Sequence, residues 1–180
     1  MPPVTQVCYT THDIEATARD IVANERVGPF YFAEFPQHDL VLNGKPVSYD
    51  PIKVGFGYIG TLQYEVIEAP AGVESCYTMV LEGRREALHH TYVSTDEDFD
   101  AIARRYAAAG EEMIYHGIAG EGIRFGFVDA RARLGHFIEL LETRKMVGSA
   151  GLIYSLYDKM QTAAQDWDGQ RPLRRLDELL

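Results

Sequence analysis

The sequence predicts an α+β fold in which a unit of strand, helix and three strands occurs twice, followed by a C-terminal helix. Three observations carry this expectation. β-Rich runs and helically spaced apolar residues follow one another in the same order in both halves. Turn residues separate them at comparable places. The halves can also be laid over each other. QVCYTTHDIEA from Gln6 matches HTYVSTDEDFD from His90, and YEVIE from Tyr64 matches IELLE from Ile138. Gln6 then falls on His90 and Glu65 on Glu139, a weak internal repeat.

The elements follow in order. Thr5–Thr11 is a short strand. From Asp13 to about Asn24, Ile14, Ala18, Ile21 and Val22 share a helical face, and Gly28–Pro29 ends the helix. Phe30–Phe35 is an aromatic strand. Pro36–Asp50, with Pro36, Asn43–Gly44 and Pro46, is expected to be a long loop. Ile52–Ile59 and Thr61–Ala69 form a hairpin turning near Gly60. Pro70–Gly83 is an irregular connection with one short ordered turn.

The second unit opens with the strand Leu88–Thr95. Asp96 is the expected N-cap of a helix carrying Phe99, Ile102, Ala103, Tyr106 and Ala107 on one face, closed by Gly110. Glu112–Ile118, Ile123–Asp129 and His136–Glu142 are the remaining strands, the last two split by a polar loop, Ala130–Gly135. Modules of about 5–69 and 86–142 give a first domain of 1–145. Residues 146–180 hold a helix, about Leu152–Trp167, and a tail, RPLRRLDELL, expected to be a frayed terminus.

Composition narrows the function. Of 180 residues, 46% are hydrophobic and 24% charged, within the range of soluble globular chains. A net charge of −10 with no basic stripe argues against nucleic acid as partner. No apolar run suits a membrane span, and the N-terminus lacks the pattern of a signal peptide. Cys8 and Cys76 are the only cysteines and read as reduced thiols. The expectation is a cytoplasmic protein acting on a small molecule. A half-open sheet with an apolar C-terminal helix makes a homodimer the expected assembly.

The chemistry lies in four polar positions. Strand side chains alternate, so Glu65 shares a face with Gln63 and Ile67, and Glu139 with Phe137 and Leu141. His90 shares one with Tyr92 and Ser94, and Gln6 with Cys8 and Thr10. If the apolar members point inward, so do the polar ones. A buried, unpaired carboxylate costs several kcal/mol, and two would also repel. No Lys or Arg belongs to these inward sets. A divalent ion with two carboxylates, a neutral imidazole and an amide oxygen would leave no net charge, as Zn, Ni, Mn, Co, Fe or Mg would allow. Arg124, Arg131 and Arg133 are candidates to meet a substrate anion, although solvated loop arginines are the plainer reading. Tyr9, Tyr31, Phe32, Tyr58, Tyr92 and Phe125 fall on or near the sheet; most suit a core, and some could line a slot for a ring-bearing substrate.

These segments, QVCYTTHDIEATA, LQYEVIEA, ALHHTYVSTDEDFDA and GHFIELLE, resemble the vicinal oxygen chelate superfamily, which includes glyoxalase I, methylmalonyl-CoA epimerase, extradiol dioxygenases and bleomycin-resistance proteins. The resemblance spans about Thr5–Glu142. It implies paired βαβββ modules forming a cupped, mostly antiparallel mixed sheet around a metal. It also implies Gln6, Glu65, His90 and Glu139 as metal ligands, with His90 preferred to His89 because the family's ligand directly precedes an apolar, β-branched run. His12, at the strand-to-helix turn, is the nearby alternative to Gln6. Gln6 departs from the His common in the epimerase branch. DARARLG departs from the family's Asp-Pro-x-Gly turn, and the Pro36–Asp50 segment is longer than a minimal member needs. The activity implied is that of a metal-dependent lyase, isomerase or epimerase moving a proton α to a carbonyl through an enolate or enediolate, with Glu139 as base and Glu65 as second candidate. A non-catalytic binding or resistance protein is the alternative. An extradiol-type dioxygenase fits less well, because it wants two His and one carboxylate on Fe(II).

Overall fold

The computed structural model describes residues 4–93, 97–120, 122–142 and 149–180. The first module comprises β1 (Val4–Thr11), α1 (Ile14–Glu25), β2 (Phe30–Phe35), a hairpin of β3 (Gln37–Leu42) and β4 (Lys45–Val47), β5 (Ile52–Ile59) and β6 (Leu62–Glu68). A one-turn helix, α2 (Cys76–Met79), leads to the second module. That module comprises β7 (Glu86–Val93), α3 (Phe99–Ala108), β8 (Met113–Ala119), β9 (Ile123–Val128), α4 (Arg131–Leu134) and β10 (Phe137–Leu141). The chain ends with α5 (Ser149–Gln165), β11 (Leu173–Arg175) and a 3-10 turn, Leu176–Leu179. No helix among the described residues is long and apolar enough to cross a membrane.

All eleven strands join one mixed, mostly antiparallel sheet in the order β11-β2-β5-β6-β1-β7-β10-β9-β8-β3-β4. Each module pairs its first and last strands in parallel, β1 with β6 and β7 with β10, and the modules meet where β1 runs antiparallel to β7. The register shows a pseudo-twofold. It centres on Val7 opposite Thr91, with Gln6 opposite Tyr92 and Cys8 opposite His90. Cys8 stands beside Glu65 on β6, and Tyr92 stands beside Glu139 on β10. The equivalence of Gln6 with His90, and of Glu65 with Glu139, is therefore built into the strand pairing.

Helices α1 and α3 cover the convex face. Asp13 caps α1 by accepting from Ala16 N at 3.0 Å, and Ile14, Ala18 and Ile21 are buried with Val27, Phe30 and Val66. Asp98, accepting from Ala101 N at 3.0 Å, caps α3, whose Phe99 and Ile102 pack on Val128, Ile138 and Leu140. The expected cap, Asp96, is corrected to Asp98. Asp96 lies outside the described residues, and the helix starts only at Phe99.

Two connections differ from expectation because their partners are distant in sequence. The Pro36–Asp50 segment is a hairpin rather than a loop. Asn43 and Gly44 supply the two positive-φ positions (50° and 74°) of a tight two-residue turn. Strand β3 then pairs with β8, at the far end of the other module. Phe35 is held by Ile52 on β5 while Gln37, one residue past Pro36, is held by Ala119 on β8. The strip of strands is thus closed into a ring by its own backbone. At Gly117 on β8 a Cβ would press on the Leu40 side chain of β3 and lie 3.0 Å from the His38 carbonyl oxygen, so glycine eases this close approach. The tail is likewise not frayed: β11 extends the sheet beside β2, with Phe30 N donating to Pro172 O at 2.8 Å.

Candidate functional site

Inside the ring lies a cavity of about 200 Å³. Gln6, Glu65 and Glu139 line it, with Gln37 of β3 and Leu156, Tyr157 and Met160 of α5. His90 sits fully buried behind the two glutamates. Its Nε2 lies 3.2 Å from Glu65 Oε2 and 3.5 Å from Glu139 Oε2. Neither contact has hydrogen-bond geometry, and Nε2 has no hydrogen-bond partner. The structure therefore brings Glu65, His90 and Glu139 together and places Gln6 on the same cavity wall. His12 is exposed and stands apart from this cavity.

The surroundings of His90 fix its tautomer. His89 Nε2 lies 3.3 Å from Cys76 O, which can only accept, so His89 carries its proton there. Burial, with repulsion from His90, pushes His89 well below the usual imidazole range and keeps it neutral. Its Nδ1 must then accept, and His90 Nδ1, 2.8 Å away, must donate. When neutral, His90 turns a bare lone pair toward two carboxylates. Such an atom calls for a positive charge, either a proton or a metal ion. In the metal-free protein the proton serves. Burial alone would lower His90, but Glu139 and Glu65 outweigh it and lift the imidazole to about 9. Glu139 is raised, chiefly by burial, against the lowering effect of His90.

Neighbouring residues of a regular strand point to opposite faces, yet the rings of His89 and His90 meet edge to face at 5.1 Å. A β-bulge explains this: Cys8 pairs with His90 and Tyr9 with Leu88, so His89 has no partner on β1. The same irregularity recurs at Thr5, between Val4 and Gln6. Sequence reasoning weighs His89 only as the alternative to His90 and does not anticipate that both rings turn to the same side. The doubled histidine was the available signal, but alternation assigns only one of the two to the inward face.

Gln6 has a chain of its own. Its Nε2 donates to Gln63 Oε1 at 2.6 Å, and Gln63 Nε2 donates to the Tyr58 hydroxyl at 2.6 Å. With Gln63 donating to Tyr58, Gln6 Oε1 is left buried and without a hydrogen-bond partner. An amide oxygen and an imidazole nitrogen are then both available to a cation. With Glu65 and Glu139 they form an O/N donor set suited to a divalent metal.

A tighter group could also hold a metal: donor atoms of Cys8, His89 and His90 lie within 4.8 Å of one another. One feature weighs against it: the Nδ1 atoms of the two histidines are 2.8 Å apart, closer than the roughly 3 Å or more expected of two nitrogens ligating one ion at about 2.0–2.1 Å.

The three candidate arginines are engaged elsewhere. Arg124 pairs with Asp100 at 2.7 Å over the Phe99 ring, Arg131 with Asp129 at 2.7 Å, and Arg133 with Glu111 at 2.6 Å. Of the aromatic candidates, Tyr92 and Phe125 line the cavity, while Tyr31 and Tyr58 belong to the core and Tyr9 and Phe32 pack toward α1.

The architecture has counterparts among solved structures. A hypothetical protein, BH1468 from Bacillus halodurans C-125, aligns with a TM-score of 0.51 at 18% identity, covering 77% of this chain and 92% of that one. A methylmalonyl-CoA epimerase in complex with methylmalonyl-CoA and NH4+ gives 0.51 at 20% identity, covering 78% and 94%. A variant of the Streptomyces coelicolor methylmalonyl-CoA epimerase in complex with 2-nitronate-propionyl-CoA gives 0.52 at 19%, covering 78% and 96%. The likeness shows a shared fold, in keeping with the paired modules that the sequence resemblance implies. No family model matches the sequence, and no curated protein does. At these identities the likeness establishes the fold alone.

Proposed function

We propose that this protein is a metal-dependent enzyme that moves a proton on or off the carbon α to a carbonyl, as a lyase, isomerase or epimerase. One observation carries the reading. Gln6 Oε1, buried without a hydrogen-bond partner, and buried His90 Nε2, 3.2 Å and 3.5 Å from the carboxylates of Glu65 and Glu139, gather four oxygen and nitrogen donors at one cavity. Such a donor set is what a divalent cation needs.

Gln6, Glu65, His90 and Glu139 would hold the ion. A divalent ion held there would supply Lewis-acid stabilisation for the negative charge that develops on a substrate oxygen. The remaining work falls to the chain. Glu139, whose burial raises its proton affinity, takes the proton from the α carbon while the C–H electron pair moves to form the enolate double bond. Glu65, its pseudo-twofold counterpart, would take a proton from solvent and return it to the other face of the enolate carbon.

The test is α-proton exchange with solvent deuterium, followed by NMR in zinc-loaded protein of measured metal content. Glu139→Gln should keep metal and lose about 10²–10⁴-fold in exchange rate. Full exchange with metal bound would remove Glu139 from the role. Purified protein without stoichiometric metal would instead favour a non-catalytic binding shell. Methylmalonyl-CoA, the ligand of an epimerase neighbour, belongs among the compounds assayed.

A further inference from the structure

We propose that the cavity selects an uncharged, ring-bearing substrate whose two adjacent oxygens reach the cation site and whose α carbon lies beside Glu65 and Glu139. This inference rests on the proton-transfer reading and adds the substrate class to it.

The first argument is charge. Among the described lining residues the only formally charged side chains are Glu65 and Glu139, and none is Lys or Arg. One divalent ion with two carboxylates, neutral His90 and neutral Gln6 sums to zero. A neutral substrate leaves that balance intact. A substrate carrying its own carboxylate or phosphate would make a buried, low-dielectric site net negative, with no Lys or Arg among the described lining residues to answer it. The nearest candidate arginines cannot supply one without breaking their pairs with Asp100, Asp129 and Glu111.

The second argument is shape. Rings reach the cavity from both ends of the sheet. Phe35 and Phe56 stand edge to face at 6.0 Å, and Tyr157 of α5 extends the series at 5.9 Å from Phe56. From the other module come Phe125 and Phe127, edge to face at 5.8 Å. The edge-to-face habit of this wall suits another ring set between its members. A volume of about 200 Å³ is smaller than the roughly 300–1,000 Å³ of sites for drug-sized ligands, so the occupant is compact.

Three probes separate these terms on one skeleton: 2-hydroxyacetophenone, with a ring and no charge; hydroxyacetone, with neither; and 4-(hydroxyacetyl)benzoate, with both. Binding to the zinc-loaded protein is measured by calorimetry, and exchange of the shared CH2 protons by NMR. The expected order puts 2-hydroxyacetophenone about thirtyfold ahead of hydroxyacetone, from ring burial, and about tenfold or more ahead of the benzoate. Parity with either, or no binding of 2-hydroxyacetophenone, would overturn the inference. A second variant guards the charge argument. Ile123 is half-buried on the cavity rim, so Ile123→Lys adds a cation where the fold can accommodate it. In folded variant, confirmed by its melting curve, the benzoate should gain about tenfold; no gain would overturn the charge argument. Tight binding of 2-hydroxyacetophenone without CH2 exchange would sink the proton-transfer reading and leave the substrate class standing.

Discussion

The two modules solve the same local problem with different chemistry. Each must present one neutral donor and one carboxylate to a shared cavity, from strands paired in the same register. The first module uses an amide, Gln6, steered by Gln63 and Tyr58. The second uses an imidazole, His90, steered by His89 and the Cys76 carbonyl. Both place a bulged residue just before the donor, Thr5 in one and His89 in the other. In the first module the bulged residue gives no support to the donor, and a neighbouring strand provides the steering. In the second the bulged residue itself turns inward and becomes the support. The difference teaches that the fold fixes where a donor stands, while the residues behind it decide whether it titrates.

That contrast can be tested, starting with the largest effect. An amide has no proton to lose between pH 7 and 9, but His90 does. Its folded value, about 9, lies above the ordinary 6.5. Metal must displace that proton, so the apparent affinity should strengthen by about tenfold per pH unit from about 7 to 9, then level off. The metal-free protein should behave in the opposite sense. The stability from protonated His90 between the carboxylates is fully present below about pH 6.5 and is lost as pH rises through about 9. Metal titrations and thermal melts across this range check both halves. His90→Gln, which makes the second module copy the first, should flatten the affinity profile; an unchanged slope would place the titrating group elsewhere.

Next in size is the support behind His90. His89→Phe keeps a ring among Tyr77, Phe127 and Phe137 but removes the acceptor for His90 Nδ1. Metal affinity should fall about 10–100-fold, with a melting temperature close to that of the parent. Thr5→Val, at the matching bulge, should leave affinity unchanged. Equal losses at both positions would mean that the bulges matter only as backbone. The smallest expected effect is at Gln63→Met, which frees Gln6 to rotate. A loss of about tenfold or less in metal affinity is expected, measured by competition with a chromogenic chelator.

Much of this design was legible in the chain before folding. Strand and helix periods, the Gly28–Pro29 stop and the overlay of Gln6 on His90 and Glu65 on Glu139 are local or repeat signals, and the observed register reproduces that equivalence. What was not legible depended on partners far along the sequence. Asn43–Gly44 marks a hairpin turn, but nothing near it says that β3 will find β8. The charged tail gave no sign that the edge of β2 was open to it. His89 was hidden because a bulge breaks the alternation from which inward faces are read. The α3 cap moved to Asp98 because several acids stand in a row there, each chemically able to serve.

The bridge at Pro36 carries a mechanical consequence. Because Phe35 and Gln37 are anchored to opposite ends of the strand array, the array is a hoop and not a hinged pair of leaves. Its halves cannot splay apart without tearing β3 from β8 or β2 from β5. Traffic into the interior must therefore pass through the rims of the hoop, where α5 lays Leu156 and Met160 against the cavity.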